Sequence, residues 1–317
     1  MKGTIINNVR PLTPALQALA AEELNETPDR IVSDLQLLKN WISQCPHLRV
    51  RTDDQFLVTF LRGCKFSLEK AKQKFDLYYT VRSHLPEVML NRDPYDDKLR
   101  KLIRLGVGLP LPLTEKLDGP RIILIRPGAY DASVYTVADV IKISNMIQDI
   151  LMNEDDNYVV AGQIGILDCA NVTMAHFKQF NPSFIKKITI MSQEASPTRQ
   201  KGFHFINTPR GFESVFNIFK TFINDKNKTK LYVHGSNLKS LYKVIPRRLM
   251  PTEYGGEAGS LDSVIETWEK KIISYRDYYK QEEQYGVEES KRPPANASKM
   301  NDLFYGTSGS FRKLDFD

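Results

Sequence analysis

Short apolar runs alternate with segments of helical periodicity from residue 121 onward, and this alternation restricts the possible fold more than any other feature. Four runs are typical of buried β-strands: Arg121–Ile125, Gln163–Asp168, Gly202–Ile206 and Lys230–His234. Helices are predicted between the first three runs, over about 136–153 and 174–194. Strands and helices in this order form crossover units, in which the strands run parallel. The chain is therefore predicted to have an α/β fold with a mostly parallel sheet that is covered on at least one face.

The residues before this region carry helical signals instead. Pro28 precedes an apolar stripe, and the side-chain acceptors around Asp53 are typical of a helix N-cap. We expect a helical N-terminal domain over 14–90 and the α/β domain over 95–280. The sequence then becomes polar, so 281–317 is predicted to be a loosely ordered C-terminal tail.

The composition favours a cytoplasmic protein and argues against several classes of function. Three cysteines without a Cys-x-x-Cys pair fit neither a disulfide framework nor a zinc site. The sequence lacks any window of eighteen uncharged apolar residues, and its beginning lacks the apolar run of a signal peptide. The formal net charge of +6 favours an anionic partner, without choosing among nucleic acid, acidic lipid and protein.

Positive charge is concentrated in residues 196–250, which hold eleven lysines or arginines and two acids. The same segment has an apolar helical face at spacings of three and four residues: Phe212, Val215, Phe216, Phe219, Phe222 and Ile223. A core helix would explain the apolar face and solvated lysines would explain the charge, but neither explains why the two coincide. We interpret the segment as a lid over an apolar cavity that can meet a membrane.

The sequence contains no convincing catalytic site. Nucleophilic catalysis would need a Ser, Cys or Thr beside a histidine, and the candidates include Cys169, His204 and His234. None lies in a recognisable nucleophile elbow, and no third ligand accompanies the histidines, so we expect neither a metal site nor a cofactor. Gly106 and Gly108 lack the helix and the lysine of a phosphate-binding loop. The covered strands also argue against nucleic-acid binding.

Six motifs, taken in order, carry a resemblance to a known family. They are Phe60-Leu61-Arg62, Leu167-Asp168, Phe184-Ile185-Lys186-Lys187-Ile188, Gly202-Phe203-His204-Phe205-Ile206-Asn207, Val233-His234-Gly235 and Glu253-Tyr254-Gly255-Gly256. The chain resembles the CRAL-TRIO lipid-transfer family over about 53–279, and within it the branch that transfers tocopherol and retinaldehyde. The resemblance implies a helical N-terminal bundle followed by a CRAL-TRIO domain. The sheet of that domain would floor an apolar cavity under a helical lid at about 210–224.

The resemblance, together with the strand order, also implies which side chains line the cavity. Apolar walls supply most of the affinity of such a site, and a few polar groups orient the ligand. The apolar lining is assigned to Ile143, Ile147, Ile164, Ile166, Phe184, Ile188, Met191, Phe212, Phe216 and Phe219. Ser144 and Gln148 are the expected hydrogen-bonding partners of a small hydrophobic ligand.

The resemblance further implies a phosphoinositide headgroup site made of basic residues. These lie in the N-terminal bundle, before the third strand and near the end of the lid. The residues implied here are Lys65, Arg199, Lys201, Lys226 and Lys230. Cys64 stands where the family has an arginine in the bundle, and Lys65 is its neighbouring substitute.

These features predict a protein that is not an enzyme but binds and transfers a small hydrophobic lipid, such as tocopherol, a retinoid or a carotenoid. We expect a cytoplasmic monomer that reaches anionic membranes transiently, where membrane contact opens the lid. A closed lid would bury about four phenylalanines, and exposing them to water would cost roughly 6–12 kcal/mol. Two alternatives stay open. One is an adaptor that reads phosphoinositides without carrying cargo, and the other is an enzyme that uses Cys169 or a histidine.

Overall fold

The computed structural model describes residues 8–293. The N-terminal part contains six helices: α1 (Pro14–Leu24), α2 (Pro28–Ser43), α3 (Asp54–Gly63), α4 (Leu68–Ser83), α5 (Pro86–Met89) and α6 (Asp97–Arg104). The later helices are α7 (Val137–Glu154), α8 (Met174–Lys178), α9 (Pro182–Thr189), α10 (Phe212–Thr221), α11 (Asp225–Lys228), α12 (Leu238–Leu241), α13 (Leu261–Ser274) and α14 (Arg276–Glu282). The strands are β1 (Leu48–Arg49), β2 (Gly108–Pro110), β3 (Arg121–Ile125), β4 (Gln163–Asp168), β5 (Gln200–Ile206), β6 (Leu231–Gly235) and β7 (Gly286–Val287). No helix in the described range is long and apolar enough to cross a membrane.

The N-terminal helices begin where the sequence predicts them. Pro28 occupies the first turn of α2, where a missing N–H leaves no helical bond unmade. The Asp53 carboxylate accepts a hydrogen bond from the Phe56 N–H at 2.9 Å and caps α3. α3 and α4 then pack through aromatic rings, with the centroids of Phe60 and Phe75 4.9 Å apart in an edge-to-face pair. An aromatic core therefore holds this bundle together.

Five strands form the main sheet in the order β2-β3-β4-β5-β6. β2 is antiparallel to β3, and the other neighbours are parallel. The predicted fold, a helical N-terminal bundle followed by an α/β unit with a mostly parallel sheet, is confirmed. β2 lies in a Leu-Pro segment that the sequence analysis did not mark as a strand. It forms an edge of the sheet, where proline is tolerated.

The helix predicted over about 174–194 is interrupted in the structure. α8 ends before Asn181, and Pro182 begins α9, because proline cannot donate the hydrogen bond that a helix interior requires. The Asn181 side chain accepts a hydrogen bond from the Phe184 N–H at 2.8 Å and caps the new helix. α9 then continues into a π-helical turn over Ile190–Ala195, which lies just before β5.

The strands present different side chains to the two faces of the sheet. On the outer face, buried side chains of the strands pack against the chain that follows β6; this cluster includes Ile122, Leu124, Ile166, Ile206, Leu241, Ile245, Leu249, Met250 and Val264. The opposite, inner face carries Ile123, Ile125, Leu167, Phe203 and Phe205. The outer face is therefore covered by the rest of the chain, and any ligand of the sheet would have to contact the inner face.

A buried ionic centre joins the N-terminal helices to α7. The Asp149 carboxylate accepts hydrogen bonds from Arg82 at 3.1 Å and from Arg92 at 2.6 Å. Burial opposes ionisation of Asp149, but the two arginines outweigh it and lower the pKa of this carboxyl. The largest hydrophobic cluster likewise combines residues of the bundle and of α7. The domain boundaries at residues 90 and 95 stay a prediction.

The expectation of a loosely ordered tail over 281–317 is wrong for its first part. β7 pairs with β1, and the Arg292 side chain is buried against α4. Its guanidinium lies 2.8 Å from both carboxylate oxygens of Asp76 and donates to the Thr80 hydroxyl at 2.7 Å. Polar composition predicted disorder for this segment, but its polar residue Arg292 instead forms a buried ion pair with Asp76. The rest of the expected tail, 294–317, lies outside the described residues.

Candidate functional site

The inner face of the sheet is apolar but incompletely packed. Ile123, Ile125, Leu167 and Phe203 are half-buried there, whereas the apolar residues beside them on the outer face, such as Ile166, are buried. Protein interiors are normally filled to crystal-like density. An apolar surface that lies beneath helices yet keeps part of its area free leaves room for an apolar molecule.

α10 lies over the β5 side of this face and contacts it through aromatic rings. The centroids of Phe212 and Phe216 lie 5.5 and 4.9 Å from that of Phe205 on β5. Further along α10, Phe219 meets Phe180 edge to face at 5.0 Å. The apolar face of α10 is the one that the sequence spacing marks, and this helix occupies the position expected of the lid.

The lid is less buried than the sequence analysis expected. Of its four phenylalanines, Phe212 alone is buried, while Phe216, Phe219 and Phe222 are half-buried. Ile218 on the outer side is 59% exposed. One full and three half burials correspond to about 4–8 kcal/mol for exposing these rings to water. The expected opening cost of roughly 6–12 kcal/mol is therefore corrected downward, because the rings bridge the interior and the surface.

The two ends of the lid are held differently. Gly211 precedes α10 with a φ of 81°, and a side chain at its α-carbon would meet nothing within 4 Å. At the other end, the Gln193 amide donates to the Phe222 carbonyl at 3.4 Å and accepts from the Asn224 N–H at 3.0 Å and the Asn227 amide at 3.2 Å. We call these Gln193 contacts the latch. A groove of about 270 Å³ lies beside it, between α9 and the end of the lid.

The structure brings the two predicted polar residues of α7 to one side of that helix. Ser144 is exposed and Gln148 is half-buried, which distinguishes them from the buried side of the helix. The Ser144 hydroxyl donates to the Val140 carbonyl at 3.1 Å, and the Gln148 amide donates to the Ser196 hydroxyl at 2.8 Å. Both side chains therefore have protein partners that a ligand would have to replace or share.

The predicted apolar lining is only partly assembled. Ile188 and Met191 are half-buried at helical spacing, with the buried Phe184 one turn earlier. Ile143 and Ile147 are 1% and 4% exposed within the main core. Ile147 approaches the inner side of β2, because a side chain added at Gly108 would meet its Cδ1 atom at 3.8 Å.

The assignment of Ile164 and Ile166 to the lining is wrong. Both belong to the outer-face cluster with Leu241 and Ile245. Successive side chains of a strand point to opposite faces, so Leu167 of β4 reaches the inner face instead. The strand was identified correctly, but its orientation about its own axis depends on which face the rest of the chain covers.

Four of the five predicted basic residues form one cluster. Burial and the neighbouring charges of Lys226, Lys201 and Arg199 together lower the pKa of the Lys230 ammonium. Lys230 also donates to the Gln200 carbonyl, which places it across the start of β5. We call Arg199, Lys201, Lys226 and Lys230 the cation cluster.

The fifth predicted residue, Lys65, stays a prediction, and Lys74 of α4, which was not predicted, lies near Lys226 of the cation cluster. Burial, and to a lesser degree Lys226, lowers the pKa of Lys74, and its ammonium donates to the Glu194 carbonyl. Cys64 is buried and feels the charge of Lys74. Lys65 is exposed in the turn between α3 and α4. The position of Lys74 on a helix was predictable from the sequence, but its proximity to Lys226 was not.

One carboxylate reaches into the cation cluster. A single Glu23 oxygen, on α1, lies 2.9 Å from an Arg199 nitrogen and 3.0 Å from the Lys201 nitrogen. The acid and the bases are separated by more than 170 residues in sequence. Sequence spacing gives no signal for this contact.

The cysteine and histidines considered for catalysis lie in surroundings that suit a structural role. Burial, followed by the charge of Asp168, raises the pKa of the Cys169 thiol to about 12, so the reactive thiolate is not formed near neutral pH. His204 and His234 are hydrogen-bonded to each other at 2.9 Å, and His234 to the Ser240 hydroxyl at 2.7 Å. Residues 8–293 contain no group of three or more His, Cys, Asp or Glu that could hold a metal.

A sheet whose apolar face stays partly accessible beneath an aromatic helix is typical of proteins that bind apolar molecules. Comparisons with known proteins agree. Residues 114–256 match the CRAL/TRIO domain profile, and residues 27–99 match the Pinta-like, UBA domain profile.

Named relatives extend the likeness over most of the chain. The Homo sapiens protein named alpha-tocopherol transfer protein-like is 32% identical over 272 residues, which is 86% of this chain and 78% of that protein. Homo sapiens clavesin-2 is 26% identical over 91% of this chain and 86% of its own length. The crystal structure of Sfh5 covers 84% of this chain and 100% of that one at 13% identity, with a TM-score of 0.46. This chain belongs to the CRAL-TRIO family of lipid-binding and lipid-transfer proteins.

Proposed function

We propose that this protein binds one small hydrophobic lipid between the inner face of the sheet, α9 and the lid, and transfers it at anionic membranes. The observation that supports this proposal is the half-buried apolar inner face beneath an aromatic helix. Tocopherol is the first ligand to test, because the name of a 32% identical relative refers to it. Retinoids and carotenoids are the next, since they are also long, apolar and neutral.

Membrane contact opens the lid in this mechanism. Exposing the lid phenylalanines to water costs about 4–8 kcal/mol, but the same rings lose little when they move into the bilayer interface. The exposed Ile218 lies on the outside of α10 and adds apolar area to the approaching surface. Opening in water is therefore rare, and opening at a membrane is favoured.

The cation cluster and Lys74 bind the anionic surface, with phosphoinositides as the preferred headgroups. Within residues 8–293, no carboxylate forms an ion pair with Lys74, Lys226 or Lys230. Each such cation near an anionic leaflet contributes about 1 kcal/mol. The protein works as a cytoplasmic monomer and reaches the membrane transiently.

Organic extraction of the purified protein followed by mass spectrometry tests the ligand. We expect one apolar lipid in roughly equimolar amount, and labelled tocopherol should then move from the protein to anionic vesicles. Phosphoinositide binding without any extractable or loadable lipid would contradict transfer. That result would favour the adaptor, the second of the two binding functions.

A further inference from the structure

Two of the four residues of the cation cluster already share one carboxylate within the protein. The same Glu23 oxygen lies within ion-pair distance of Arg199 and Lys201, whereas no carboxylate of residues 8–293 does so for Lys226 or Lys230. Hydrogen bonds from Lys201 and Arg199 outweigh the effect of burial and lower the pKa of the Glu23 carboxyl, so it is ionised at neutral pH. The Glu23 side chain is 37% exposed, and an anion from solution can therefore reach the contact.

The placement of Glu23 follows from the packing of α1. Leu16, Ala20 and Leu24 of this helix form a small apolar cluster with Val160, and Arg199 donates to the Val160 carbonyl. The last turn of α1 is thereby held over the start of β5. A carboxylate oxygen that bonds two cations at this spacing has the same electrostatic role as a phosphate oxygen.

We propose that Glu23 is an internal competitor that masks Arg199 and Lys201, and that a headgroup phosphate must displace it to engage the complete cation cluster. This inference rests on the proposed membrane function and names what regulates the headgroup site. The unmasked state has two more free cations and lacks the ion pairs that hold the last turn of α1. Headgroup binding therefore loosens α1.

The test compares Glu23→Gln with Glu22→Gln, which removes the same charge from an exposed neighbour. Binding is measured to phosphatidylcholine vesicles that contain phosphatidylinositol bisphosphate, and separately to soluble inositol trisphosphate. Glu23→Gln should tighten binding about fivefold, which corresponds to one charge at about 1 kcal/mol near an anionic surface. If Glu23→Gln binds only the vesicles more tightly, the competitor of Glu23 is the headgroup in a membrane. If it binds both the vesicles and inositol trisphosphate more tightly, the competitor is the phosphate group itself. Either result supports the mask.

A double-mutant cycle with Lys201→Gln adds a second readout. In the native background this change removes a headgroup contact and a Glu23 contact together, so its effects partly cancel. In the Glu23→Gln background the loss should reach about fivefold, because the headgroup contact alone is lost. Equal losses in the two backgrounds would overturn the mask.

Hydrogen exchange gives a measurement that does not depend on affinity. Amides in the last turn of α1 should exchange faster when phosphoinositide vesicles bind the native protein, and they should already be fast in Glu23→Gln. A second outcome is that the native protein binds the headgroup while Glu23→Gln binds it no more tightly than Glu22→Gln does. That result would overturn the mask but leave the proposed function standing. Absence of headgroup binding in every variant would overturn the headgroup site, and the mask with it.

Discussion

Phe216 belongs both to the interior and to the surface of the lid. Its ring packs against Phe205 with a centroid distance of 4.9 Å, the Lys220 ammonium lies 5.5 Å from the ring centroid, and the side chain is half-buried. The helical spacing of the lid aromatics was legible in the sequence. Their half-burial was not, because it depends on how far α10 stands from the sheet.

Phe216→Asp should slow lipid transfer to anionic vesicles by roughly tenfold, since the variant loses an apolar anchor worth about 1.5 kcal/mol. The free energy of unfolding should fall by a similar amount, because the ring is half-buried. Asn217→Asp is the matched control, as it adds the same charge at an exposed position of the same helix. Equal transfer rates for the two variants would contradict membrane contact through this face.

His204 is a buried residue whose charge state affects folding. Burial, and then the proximity of His234, lowers the pKa of His204 from 6.5 to about 4. Between these two values the unfolded chain binds a proton that the folded chain does not bind. Stability is therefore complete above about pH 6.5 and falls as the pH decreases toward 4.

His204→Gln should flatten this pH dependence. At about 1.4 kcal/mol per pH unit, the native protein should lose up to about 3 kcal/mol of unfolding free energy from this group between pH 6.5 and 4. Urea denaturation at several pH values measures the slope. An unchanged slope in the variant would show that other groups cause the acid sensitivity.

The helices around the lid show which structural features are set by neighbouring residues and which by distant ones. Asn181 and Pro182 end one helix and begin another through bonds within a few residues, and that break could have been read from the sequence. The latch joins Gln193 to residues about thirty positions later, and no spacing rule identifies it. Local chemistry sets the ends of the helices, whereas packing sets their partners.

Gln193→Ala should speed release of a bound fluorescent lipid by several-fold, because three hydrogen bonds of about 1 kcal/mol or less each are lost from the end of the lid. Ser192→Ala is the control on the same π-helical turn, where the hydroxyl bonds to the Thr189 carbonyl. Stopped-flow release into neutral vesicles measures the rate. Equal rates in the two variants would mean that the latch does not restrain the lid.

Distant parts of the chain are tied together by buried charge in this molecule. Asp149 holds Arg82 and Arg92, and Asp76 holds Arg292 from the C-terminal segment. Removal of one partner from such a pair leaves a charge without water or counter-ion. Residues 283–293, which follow α14, are therefore part of the folded body.

Arg292→Ala should lower the free energy of unfolding by about 3 kcal/mol, because Asp76 stays buried without its main partner. Lys291→Ala, at an exposed position, should change it by less than about 0.5 kcal/mol. Urea denaturation followed by circular dichroism distinguishes the two. Equal stability would indicate that the segment is not docked in solution.

The strands, the helix caps and the apolar stripe of the lid could be predicted from the sequence, because each depends on residues that lie close together along the chain. The CRAL-TRIO motifs added the order of the elements. Three features could not be predicted from the sequence: the face of the sheet on which Ile164 and Ile166 lie, the proximity of Lys74 to Lys226, and the ion pair between Glu23 and Arg199. Each depends on which distant segments meet, and contacts between residues far apart in sequence follow from the packing of the whole chain rather than from local spacing.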